Sequence, residues 1–103
     1  MLQEEADGLR FQAGTAEIIT NLRIIARLWW MIGEEDEMER VMKRALDTAQ
    51  GNAEHLADVA DSWAWFGEHR KAIEIARAAV ELQPDQAHAL LVLGTSLLEI
   101  GEL

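Results

Sequence analysis

Three histidines, two serines and a run of four acids are the residues of this chain whose types and spacing bear on chemistry. His55 and Asp58 stand three apart, so on a helix they share a face and can meet across one turn. Two ligands without a third make no zinc site, and the chain has no cysteine to complete one. Neither His69 nor His88 pairs with an acid at the spacing of a zinc protease, and no glycine-rich phosphate loop occurs. Glu34-Glu35-Asp36-Glu37 supplies four carboxylates in a row. Adjacent helical residues point in different directions and cannot converge on one ion, so these acids suit the positive end of a helix dipole instead. Ser62 and Ser96 fall inside helical stretches, away from the sharp strand-to-helix turn that exposes a nucleophilic serine. The expectation is surface histidines, no catalytic residue, no metal site, no cofactor and no enzyme.

The elements that carry these residues recur. Gly33, Gly67 and Gly101 sit 34 residues apart. In the same phase follow Leu22, Leu56 and Leu90, then Ile25, Val59 and Leu93, then Ala26, Ala60 and Gly94, then Glu34, Glu68 and Glu102. A fixed period of this length is the signature of stacked helix–turn–helix units. Helices are predicted over about 16–32, 34–49, 53–66, 69–82 and 85–100. Ile18, Leu22, Ile25, Ala26 and Trp29 form the inward stripe of the first. Met38, Val41, Met42, Ala45 and Ala49 form that of the second. Leu56, Val59, Ala60 and Trp63 face inward on the third, and Ala72, Ile73, Ala76, Ala79 and Val80 on the fourth. Gly33 and Gly67 are the stops, Gly51 takes a left-handed cap, and Pro84 cannot continue the fourth helix. Residues 1–15 fall outside the period. Leu2, Ala6 and Leu9 suggest a short leading helix that Gly8 weakens and Gly14-Thr15 ends, with Thr15 capping the next.

Half the residues are apolar, which excludes disorder, and 103 residues make one domain. Nine basic against nineteen acidic residues give a net charge of −10. That disfavours nucleic acid and anionic membrane surfaces, and can steer a basic partner. The first five residues are acidic where a signal peptide is basic, and Arg23 and Arg27 interrupt the most apolar early stretch, so a membrane span is not expected. The expected address is the cytoplasm.

The pattern resembles the tetratricopeptide repeat. Counting from Ala53, the residues Leu56, Val59, Ala60 and Trp63 stand at that family's large, branched, small and aromatic positions. Gly67 stands at its turn, and Ala72, Ala79 and Pro84 at its small, small and proline positions. The stretches Lys71-Ala72-Ile73-Glu74 and Ala79-Val80-Glu81-Leu82-Gln83-Pro84 read as near-consensus. The likeness covers about residues 19–103. In the first unit Met38 takes the small slot of Ala72 and Gln50 replaces the proline. The resemblance implies an all-α, right-handed superhelical array of antiparallel helix pairs, about two and a half repeats: 16–52, 53–86 and an unpaired half repeat at 87–103.

Such arrays present a concave surface to another protein. Carried over by phase, the partner-facing positions hold Arg23, Arg27, Trp30 and Met31, then Asp61 and Trp65, then Leu91, Thr95 and Leu98. Aromatics and arginine are what binding anchors are made of, and the mixture suits an apolar or amphipathic segment of a partner protein. Trp30 and Trp65 have two open placements: anchors in the groove, or internal packing on the leading segment and on the last helix. The last helix is apolar nearly all round and has no following partner. Leu90, Leu93 and Leu97 therefore mark a face for self-association into a homo-oligomer. The chain is also similar in size, charge and layout to small acidic chaperones of bacterial type III secretion, which hold export substrates; a self-assembling scaffold is the other alternative to an interaction module.

Overall fold

In a computed structural model the backbone is described over residues 2–102 and the side chains over residues 14–102. The helices are α1 (Leu2–Met31), α2 (Glu35–Ala49), α3 (Ala53–Trp65), α4 (His69–Leu82) and α5 (Ala87–Glu99), with no strand among the described residues. The chain is all-α. It divides into two compact units, Met1–Thr48 and Ala49–Leu103.

One turn closes three of the helices. Gly33, Gly67 and Gly101 have φ of 88°, 83° and 75°, a left-handed conformation that costs an L side chain but not glycine. At each, the following glutamate N–H reaches back five residues: Glu34 to Trp29, Glu68 to Trp63 and Glu102 to Leu97, at 2.9–3.0 Å. Each glycine N–H donates three residues back, to Trp30, Ala64 and Leu98, at 3.0–3.1 Å. This double bond satisfies carbonyls that a helix end leaves orphaned. The next helix starts at once, because the Glu34 and Glu68 carbonyls already accept from Met38 and Ala72.

The opposite ends are capped by side chains. Asn52 accepts from the His55 N–H at 2.9 Å and Gln86 from the Ala89 N–H at 2.8 Å, each meeting one free donor of a helix start. The corresponding residue one period earlier is Ile18, which has no acceptor. Accordingly α1 does not begin near residue 16 but runs unbroken through Gly14-Thr15 from Leu2, and the predicted break there is corrected. A lone interior glycine costs about 1 kcal/mol against alanine, which a long helix absorbs. Which way Leu2, Ala6 and Leu9 face lies outside the described side chains.

In the first unit α1 buries Ile19, Leu22 and Ala26, and α2 buries Met38, Met42 and Ala45. Ile18 and Ile25, predicted to face inward, are exposed, and Trp29 is half-buried. The apolar stripe of α1 is wider than the face that is covered, so its centre falls on Ile19 and Ala26 rather than between Ile18 and Ile25. Glu35, Asp36 and Glu37 occupy the first turn of α2, where carboxylates suit the helix dipole.

In the second unit α3, α4 and α5 all pack on one another. Leu56, Val59, Ala60 and Trp63 are buried on α3, and Ala72, Ile73, Ala76 and Ala79 on α4. Ile75 joins them, while Val80 is half-buried. The alanines let the helices approach closely, and Trp63 fills the space beside them, with Phe66 edge-on at 6.0 Å and the Lys71 ammonium 4.4 Å from its ring centroid. Gln83, before Pro84, is extended (φ −145°, ψ 94°), as the proline ring demands.

Candidate functional site

Along α3 the residues Asp58, Asp61 and Trp65 are three and four apart and share one stripe. Along α5 the residues His88, Leu91, Thr95 and Leu98 do the same. The two stripes are tied together at one point. His88 Nδ1 lies 3.4 Å from Asp58 Oδ1, and its Nε2 lies 3.6 Å from Asp61 Oδ2. When both ring nitrogens carry hydrogen, both face a carboxylate. All three side chains are about one-third to one-half exposed, so the contact contributes on the order of 0–1 kcal/mol and serves more to align the helices than to hold them.

Three apolar side chains stand on the same two stripes. Trp65 is 47% exposed, Leu91 64% and Leu98 62%. Trp65 stacks edge-on against Phe66 at 5.4 Å, which steadies the indole while one side stays in solvent. Thr95 is exposed, and its hydroxyl donates to the carbonyls of Leu91 at 2.9 Å and Val92 at 3.2 Å. In the first unit, Trp30 and Met31 are exposed and Arg23 and Arg27 half-buried. Of the residues marked for self-association, Leu90 is exposed while Leu93 and Leu97 are half-buried.

Asp58 meets His88 of α5, while the backbone of His55 is engaged in the Asn52 cap. A signal existed in the period: His88 stands 34 residues after Glu54, so two in-phase neighbouring helices bring it beside the next turns of the α3 stripe. Among the described residues no group of three or more His, Asp or Glu is placed to hold a metal ion. Ser62 and Ser96 are fully buried, out of reach of any substrate. Two surface clefts of about 380 Å³ lie elsewhere on this unit, one lined by Arg70, Ile73, Arg77 and Leu97, the other by Asn52, Ala53, Leu82 and Gln83. Neither of these two clefts is lined by Trp65, Leu91 or Leu98. No described helix is long and apolar enough to cross a membrane.

No protein-family model matches the chain, and no curated protein matches it significantly in sequence.

Proposed function

We propose that this chain is a non-enzymatic interaction module that holds an apolar or amphipathic segment of another protein, and that its helices stack as a right-handed tetratricopeptide-like array of about two and a half repeats. The stacking reading is supported by the glycine turn that recurs at 33, 67 and 101 and by the side-chain caps at 52 and 86. The observation that carries the function is the exposure of Trp65, Leu91 and Leu98 on one face of α3 and α5. A small molecule is bound by enclosing most of its surface in a concavity; an open face with an aromatic anchor suits a macromolecule. Asp58 and Asp61 beside it, on a chain of net charge −10, favour a segment with basic as well as apolar side chains. Arg23, Arg27, Trp30 and Met31 are assigned the same partner-facing role on α1.

The test is capture from source-cell lysate with three baits: wild type, Trp65→Ala/Leu91→Ser, and Trp30→Ala. The expected result is a protein retained by wild type and lost with the first variant, whose far-UV circular dichroism is unchanged. Loss with Trp30→Ala extends the site to the first unit. Equal recovery on wild type and the α3/α5 variant refutes the reading.

A further inference from the structure

The helix α1 has a second apolar face, distinct from the one it buries. Ile18, Ile25 and Ile32 are seven residues apart, and Asn21 and Leu28 lie three after the first two. Over residues 18–32 these are the a and d positions of a heptad, with β-branched isoleucine at each a position, Ile32 standing one residue past the end of α1. In sequence the preceding a and d positions are Phe11 and Gly14. Ile24 and Met31 flank the seam at g. The six large apolar residues of this face, Ile18, Ile24, Ile25, Leu28, Met31 and Ile32, are between 42 and 69% exposed, and Asn21 is exposed as well. The buried stripe of Ile19, Leu22 and Ala26 is centred about 110° away around the helix, at 3.6 residues per turn.

We infer that α1 pairs through this seam with α1 of a second copy of the chain. Four of the five a and d positions over residues 18–32 are apolar, a stripe that suits a partner helix with the same pattern, and a second copy supplies it by symmetry through a self-complementary, closed interface. Area supports the same occupant. The six residues expose roughly 650 Å² per copy, so two copies bury at most about 1,300 Å², at the lower end of the ~1,200–2,000 Å² of stable specific interfaces. Charge does not oppose the seam itself: among its a, d and g positions from residue 17 onward only Glu17 is ionisable. The repulsion comes from the rest of two chains of net charge −10 and is screened by salt. The dimer therefore tightens as ionic strength rises. The seam uses no residue of α3 or α5 and shares only Met31 with the partner-facing positions proposed on α1, so the inference stands whether or not the α3/α5 surface binds a partner.

Sedimentation equilibrium over micromolar to millimolar chain, at low and high salt, tests it with four proteins. Wild type is expected to move from one chain to two with concentration, more readily in high salt. Ile25→Glu/Leu28→Glu, at exposed positions, is expected to stay a single chain with undiminished helical circular dichroism. Asn21→Leu, which replaces the polar residue of the seam, is expected to tighten the dimer about tenfold or more. Leu91→Ser/Leu98→Ser on α5 is expected to dimerise as wild type does. Wild type that remains a single chain throughout, a dimer that survives Ile25→Glu/Leu28→Glu, or one that only the α5 variant abolishes would overturn the inference.

Discussion

Helices α3 and α5 carry related residues in the same phase and have opposite fates. Leu56 is 1% exposed and Leu90, one period on, 44%; Ala57 is fully buried and Leu91 is 64% exposed. Trp63 is buried while Leu97 is half-buried. Only Ser62 and Ser96 share full burial. Both helices are closed by the same glycine turn and opened by the same kind of side-chain cap, so nothing local distinguishes them. The difference lies in how much of each helix is covered: α3 buries Ala53, Leu56, Ala57, Val59, Ala60, Ser62 and Trp63, whereas α5 buries Ala89, Val92 and Ser96. Burial follows the surroundings of a position more than its residue type.

The largest difference between the two helices is expected when a side chain of each is truncated. Trp63→Ala should cost about 3–5 kcal/mol in urea unfolding followed by circular dichroism, because a buried aromatic leaves a cavity. Leu97→Ala should cost no more than about 1–2 kcal/mol, since its partial exposure lowers the transfer term. Equal losses would mean that α5 is covered in solution.

Two glycines sharpen the comparison at the next level. Gly67→Ala should destabilise by about 1–2 kcal/mol, the cost of an L residue in the left-handed region. Gly94→Ala should stabilise by about 0.5–1 kcal/mol, because it lies inside α5 and a Cβ there meets nothing within 4 Å. Gly94 stands where the earlier units have Ala26 and Ala60, so the change extends an existing pattern. Opposite shifts in thermal midpoint check the pair; a loss at Gly94 would show that a closer neighbour occupies that space.

The smallest effect on stability is expected at the exposed end. Leu91→Ser should change unfolding free energy by less than about 0.5 kcal/mol while lowering partner capture. A larger loss of stability would show that Leu91 is packed rather than presented.

How far these features could be read beforehand differs from element to element. The limits of α4 were legible as His69 and Leu82, because Gly67 and Pro84 bracket them with strong backbone preferences. The start of α1 was not. Gly14 and Thr15 read as a boundary, yet a helix crosses an isolated glycine at modest cost, and the residue standing in the phase of Asn52 and Gln86 is Ile18, which cannot cap. The pairing of Asp58 with His88 was missed because residues 30 apart meet only after α5 lies against α3, whereas His55 is a neighbour in sequence.

The sequence alone dictates chemistry of short range: where the glycine and proline stops fall, that Trp63 has alanines around it, and that no cysteine and few basic residues narrow the possible roles. Such properties depend on the φ preferences and hydrogen-bonding groups of a few consecutive residues. Only the tertiary structure decided that α1 buries Ile19 and leaves Ile18, Ile25 and Leu28 in solvent, that His88 bridges two aspartates, and that Trp65, Leu91 and Leu98 stay exposed. The apolar arc of α1 is wide enough to serve either face, and a helix pattern states which residues share a side without stating what will cover it. That choice belongs to the neighbouring helices.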